Sequence, residues 1–305
     1  MARSFTLIQL RYFMEVARLE NMRAAAQSMN VTQSTLSAAV NQLETDLEVA
    51  LFHRMSNRGL RLTEEGKRLV VGARSLLEEA ELLQATVSGQ SQQLTGNLRV
   101  GIFAPIAPFI APILLKGFTK AFPGISLSFI EASQQVLLTA LQRGECEIAL
   151  MYDLGVGAEF SMLPVERIGA HIILDEGHRL ADPAQPIHLS QLKDEPFVLL
   201  DQEHSREYFL RIFSSLSIRP NIRYLVTGYE TVRSYVAMGL GYSILNRKLG
   251  HDVTYTGKTV VRVPIADPVQ PIDIVVVSAR DQPMSRKAQA FSEFAIVSLS
   301  GLDTV

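Results

Sequence analysis

Hydrophobic positions near the start of the chain fall at helical spacing. Leu36, Val40 and Leu43 recur at intervals of four and three, which gives the segment after Thr32 one apolar face. Gln33, Ser34, Thr35, Ser37, Asn41 and Gln42 fill its other faces. An alanine-rich helix around Ala24, Ala25 and Ala26 precedes it, and its small residues permit close approach. Asn30 marks the turn between the two, and the Thr32 hydroxyl is placed to cap the second helix. Leu51-Phe52-His53-Arg54 returns to the core, and Ser56-Asn57-Arg58-Gly59 is turn chemistry. Leu60-Arg61-Leu62 alternates as a strand, so residues 54 to 62 are predicted to form a wing. Thr63-Glu64-Glu65 opens a further helix with a cap and acidic first-turn residues.

That helix runs from 64 to about 88 with no proline. Leu69, Leu76 and Leu83 repeat every seven residues, and Leu77 and Val87 fill the same seam. Such a stripe favours a partner helix and hence a dimer, the alternative being packing on its own domain. Ser88 to Gln93 reads as a polar hinge. Beyond Leu94, apolar runs alternate with helical patterns. Strands are expected at 98–102, 125–129, 147–152, 171–174, 197–200, 222–226, 242–245 and 272–278. Helices are expected at 106–122, 134–143, 205–216 and 230–238, with a last one from Met284. Two βαβαβ sets of this kind imply parallel sheets with right-handed crossovers.

The expected architecture is multidomain. An all-α winged helix-turn-helix head occupies 1–63, a linker and dimerisation helix 64–90, and a two-lobed α/β domain 91–305. Lobe I would take about 91–162 and 267–305, and lobe II about 163–266, with crossings near 162–168 and 262–268. In open α/β sheets, ligands sit beyond the carboxyl ends of the strands. Loops at Phe103-Ala104-Pro105, Glu131 to Gln134, Asp201 to Ser205 and Thr227 to Glu230 meet that description. Each precedes a helix whose free N–H groups favour an anion such as a carboxylate.

Composition narrows the classes. The 305 residues are 47% hydrophobic and 20% charged with a net charge of −2, so nothing global draws the chain to polyanions or membranes. The start lacks a basic-then-apolar leader, and no run of ~18 apolar residues occurs, so a cytoplasmic protein without membrane contact is expected. Cys146 is the only cysteine, which excludes an internal disulfide. It stands between Glu145 and Glu147, which disfavour a thiolate, and it reads as structural. Residues 1–62 hold seven Lys and Arg against five Asp and Glu, a weakly positive head. Thr32, Gln33, Ser34, Thr35, Ser37 and Asn41 can hydrogen-bond to base edges or phosphates, and Arg54, Arg58 and Arg61 suit phosphate or the minor groove. The partner so implied is double-stranded DNA.

Catalytic constellations are missing from the sequence. His53, His171, His178, His188, His204 and His251 are scattered without metal-ligand spacing. Neither a GxSxG elbow nor a Walker loop occurs, and Gly155-x-Gly157 and Gly239-x-Gly241 lack a third glycine. Asp201, His204 and Ser205 stand too close in sequence to form a relay. No catalytic residue, metal or cofactor is expected. A solute-binding protein would share the clamshell but carry an export signal and no such head. An enzyme would need a convergent acid–base or cofactor site.

Leu10-Arg11-Tyr12-Phe13, Ala24-Ala25-Ala26, Val31-Thr32-Gln33-Ser34, Leu36-Ser37, Leu43-Glu44, Leu51-Phe52-His53-Arg54 and Leu62-Thr63-Glu64-Glu65-Gly66 stand in a characteristic order and spacing. In these residues the chain resembles the LysR-type transcriptional regulators, and the likeness extends over essentially its whole length. The resemblance implies a promoter-binding homodimer or homotetramer with a periplasmic-binding-protein-like effector domain. It makes Phe103, Pro105, Ser133, Gln134, Gln202, His204 and Tyr229 the lining of an effector pocket. Pro105 stands where many relatives carry Ser or Thr, which removes one usual carboxylate contact. Thr35 replaces a usual proline, and Ala38, Asn41 and Gln42 stand where basic residues are usual, which predicts a shallow salt dependence.

Overall fold

A computed structural model describes residues 5–54, 59–87 and 94–300. The chain opens with α1 (Leu7–Leu19), α2 (Met22–Ser28) and α3 (Gln33–Leu47). Each has a side-chain cap: Thr6, Asn21 and Thr32 accept from backbone N–H groups of the first turns they precede. Asn30 takes a left-handed φ of 54°, which an Asn tolerates well, and so turns α2 into α3. Leu36 and Val40 are buried against Val16, Ala25 and Ala26, while Leu43 packs with Leu10 and Phe13.

Strands β1 (Phe52–Arg54) and β2 (Leu60–Leu62) pair antiparallel, so the helical head carries a two-stranded wing. The tip of that wing, 55–58, lies outside the described residues. Thr63 begins α4 (Glu64–Val87): its hydroxyl accepts from Gly66 N at 2.9 Å and donates to Ala50 O at 2.7 Å. Gly66 is required by proximity, since a Cβ there would sit 2.3 Å from Leu51 O.

The leucine stripe of α4 divides. Leu69 and Leu77 pack, with buried Val70 and Ala73, on the head's own core. Leu76 and Leu83 remain 40% and 66% exposed. The expected single seam is therefore two faces, one satisfied within the chain and one open. Val87 and the hinge at 88–93 lie outside what the structure describes of side chains and backbone respectively. Arg74 donates to Gly144 O at 2.8 Å, tying α4 to the following domain.

That domain contains a five-stranded sheet in the order β4-β3-β5-β12-β6. Its strands are β3 (Gly96–Phe103), β4 (Ile125–Ala132), β5 (Ile148–Tyr152), β6 (Phe160–Ile168) and β12 (Ile272–Ala279). Helices α5 (Ala107–Ala121), α6 (Gln134–Gln142) and α9 (Arg286–Leu299) cover it. The second lobe holds β7 (His171–Asp175), β8 (Pro196–Leu200), α7 (Glu203–Ser215), β9 (Asn221–Val226), α8 (Tyr229–Ala237), β10 (Ser243–Leu245) and β11 (Val260–Pro264).

The second lobe divides its strands between a three-stranded sheet, order β10-β7-β11, and a parallel pair, β8-β9, and only that pair is wholly parallel. β3 runs parallel to β4 and β5, and β8 to β9, as the crossover helices require. β12 is antiparallel to β5 and β6, and β7 is antiparallel to β10 and β11, because these strands arrive from the other lobe. β6 pairs with β12 from Phe160 through Ile168, so the first crossing, expected near 162–168, comes just after that stretch at Gly169-Ala170.

Candidate nucleic-acid interface and ligand cleft

The first turn of α3 presents a neutral polar surface. The Thr32 hydroxyl accepts from Thr35 N at 3.1 Å and lies 2.8 Å from the hydroxyls of Ser34 and Thr35. Gln33, Ser34, Thr35 and Asn41 are exposed, and Ser37 is half-buried. These groups, with the partial positive charge of the helix N-terminus, can address base edges and phosphates without a cation. Arg61 supplies charge from the wing, exposed on β2 opposite His53. The side chain of Arg54 and the whole of Arg58 lie outside the described residues. Glu44 holds the two parts together: its carboxylate accepts from Leu51 N at 2.7 Å and Phe52 N at 3.3 Å. In sequence Glu44 reads only as part of a motif, since its partners lie a loop away.

A cavity of about 280 Å³ opens between the lobes. Phe103, Ala104, Ser133, Gln134 and Gln135 line it from the first lobe. Gln202, His204 and Thr227 line it from the second. The helices α6, α7 and α8 start here at Ser133, Gln202 and Gly228, and none has a side-chain cap. The helices α1, α2, α3 and α9, which start elsewhere, all have one. First-turn N–H groups around the cavity are thus left for a guest, and their dipoles favour an anion.

Each wall residue has a local reason for its position. Phe103 is buried and stacks edge-on against Tyr152 with ring centroids 5.4 Å apart, serving as core and wall together. Gln134 is 3% exposed, and its Nε2 donates to Tyr152 O at 3.0 Å and to Leu154 O. Gln202 Nε2 donates to Thr227 O at 2.7 Å, joining two loops of the second lobe. The His204 ring lies on Gly155, across the cleft: a Cβ at Gly155 would stand 2.5 Å from its Cε1.

Two expected pocket residues do not line this cavity. Pro105 is buried in the turn that starts α5, where Ile106 N donates to Phe103 O. Tyr229 turns away, packs edge-on against Phe109 at 5.3 Å, and donates its hydroxyl to Arg247 O. It holds the lobes together instead. So does the buried ion pair of Arg247 with Glu166 at 2.7 Å, and so does Tyr208, whose hydroxyl donates to Gln270 O at 3.0 Å. Sequence spacing could not reveal these ties, because Glu166 and Arg247 meet only when the second lobe folds back on β6.

Among the described residues, no group of His, Cys, Asp or Glu is arranged to hold a metal ion, and no helix is long and apolar enough to cross a membrane. Cys146 is 2% exposed, and burial pushes its thiol up to about 12, so it is not a thiolate near neutrality.

Residues 7–67 match the bacterial regulatory helix-turn-helix proteins of the lysR family, and residues 91–298 match the LysR substrate binding domain. A Haemophilus influenzae protein named hydrogen peroxide-inducible genes activator is 28% identical over 237 residues, 77% of this chain and 78% of its own. HinK, a LysR family transcriptional regulator from Pseudomonas aeruginosa, is 30% identical with a TM-score of 0.65, over 97% of this chain and 99% of its own. A full-length OxyR variant from Pseudomonas aeruginosa is 25% identical with a TM-score of 0.75, over 98% of this chain and 95% of its own.

Proposed function

The chain belongs to the LysR family of bacterial DNA-binding transcriptional regulators, and from that premise we propose how its own residues perform the task. It is a regulator with an effector-binding domain, not an enzyme. The α3 face formed by Thr32, Gln33, Ser34, Thr35, Ser37 and Asn41 enters the major groove of promoter DNA. Arg54, Arg58 and Arg61 of the wing contact phosphate or the minor groove beside it. The exposed face of α4 around Leu76 and Leu83 pairs with a second copy, giving a dimer that assembles further into a tetramer. Paired heads then read half-sites at a spacing set by that seam. The functional boundaries follow at 1–63 for the head, 64–90 for the linker and 91–305 for the effector domain.

The effector is a small anion, a carboxylate-bearing metabolite held by Phe103, Ser133, Gln134, Gln202 and His204. The observation that carries this is the convergence of the three uncapped helix starts on one cavity between the lobes. Binding there ties the lobes in one arrangement, and the linkage to DNA requires that arrangement to hold the effector more tightly than any other. Several relatives are named for induction by hydrogen peroxide. A thiol-based peroxide response does not transfer to this chain, whose only cysteine is buried and protonated.

Thermal melting of the full chain against a panel of small carboxylic acids tests the effector reading. An acid at 100 times its Kd adds about 2.7 kcal/mol of stability. An unchanged melt across the panel would contradict an anionic effector.

A further inference from the structure

We propose that the cleft anchors a hydroxyl of its effector between Gln134 and His204, and so selects hydroxy acids over the same acids without the hydroxyl. This rests on the anion reading above. Two carbonyls accept from Gln134 Nε2, those of Tyr152 and Leu154, so the amide orientation is fixed by its partners and Oε1 is the atom left over. Gln134 Oε1 is buried and, among the described residues, has no hydrogen-bond partner. His204 Nε2 is in the same condition, while its Nδ1 lies 4.0 Å from Glu207.

Both atoms belong to residues that line the cavity, one from each lobe. Both also gather on one short segment, because Gln134 holds the Leu154 carbonyl and the His204 ring lies on Gly155, the next residue. Buried polar atoms are almost always satisfied, and an unsatisfied pair carried by residues on opposite walls of one cavity marks where a guest completes the bonding as the lobes adjust to it. A carboxylate cannot serve Gln134, since an acceptor does not bond an acceptor. A hydroxyl serves both sides, donating to Oε1 and accepting from the imidazole N–H. The uncapped helix starts keep the carboxylate, so the ligand carries both groups, and a cavity of about 280 Å³ limits it to a small molecule.

Titration calorimetry of the full chain with matched pairs, lactate against propionate and 4-hydroxybenzoate against benzoate, tests this. The hydroxylated member of at least one pair is expected to bind about tenfold tighter or more, the scale set by a buried group losing its partner. His204→Phe keeps a ring on Gly155 and removes the nitrogen, and is expected to bring the two members of that pair to equal affinity. If circular dichroism shows that variant misfolded, Gln134→Met gives the same readout. Equal affinity within both pairs, or a preference that survives in the folded variants, overturns the inference and leaves the anion reading intact. Binding by none of the acids overturns both.

Discussion

His171 on β7 makes the stability of the second lobe depend on pH. Its side chain is buried, and Nδ1 has no hydrogen-bond partner among the described residues. Burial, reinforced by the nearby charges of Lys248, Arg262 and Arg233, lowers its pKa from 6.5 to about 3. In the unfolded chain the ring takes up a proton as pH falls below 6.5, while the folded ring stays neutral. The unfolded state then binds more protons, so this contribution is fully present above about pH 6.5 and is lost as pH falls toward 3. Between pH 7 and pH 5 a single such group removes about 2 kcal/mol. Urea unfolding at both pH values, with wild type and His171→Leu side by side, isolates the effect from other titrating groups. Wild type should lose about 2 kcal/mol more than the variant over that interval. Parallel losses in the two proteins would refute the premise that His171 is held neutral by burial.

Gly155→Ala forces a Cβ within 2.5 Å of the His204 ring at a φ of 66°. Overpacking of this kind typically costs about 1–3 kcal/mol, so denaturant should unfold the effector domain earlier, with the cleft's acid binding weakened and DNA binding by the head retained. Gln33→Ala removes an exposed polar group at the start of α3, and should cost about 1–3 kcal/mol of discrimination between promoter and mutated sites in competition binding. Cys146→Ala should leave promoter binding unchanged with or without peroxide, as measured by fluorescence anisotropy, because the buried thiol is protonated.

The head was legible because its signals are local. Thr32 as cap, Asn30 as turn, and Leu36, Val40 and Leu43 as buried face follow from spacings within one helix, and each lies where those spacings put it. The leucines of α4 show the limit, since a seven-residue repeat does not say which face the head will cover. In the lobes, strand positions were readable but their directions were not. β12 and β7 look in sequence like the parallel strands β3, β4 and β5, and only the passage of the chain from the other lobe sets them antiparallel to their neighbours. The cleft divides likewise: Ser133, Gln134, Gln202 and His204 follow from the rule that loops precede helices at strand ends. The His204 contact with Gly155 and the Glu166–Arg247 pair depend on closure of one lobe on the other.

The central claim is that a carboxylate in the cleft alters how the paired heads hold promoter DNA. Retardation of the gene's own upstream fragment by the full chain, at low salt and with or without the acid found by melting, tests it directly. The acid should change the affinity or the mobility of the complex for that fragment and leave an unrelated fragment unaffected. Retardation of both fragments alike, indifferent to the acid, would contradict the claim.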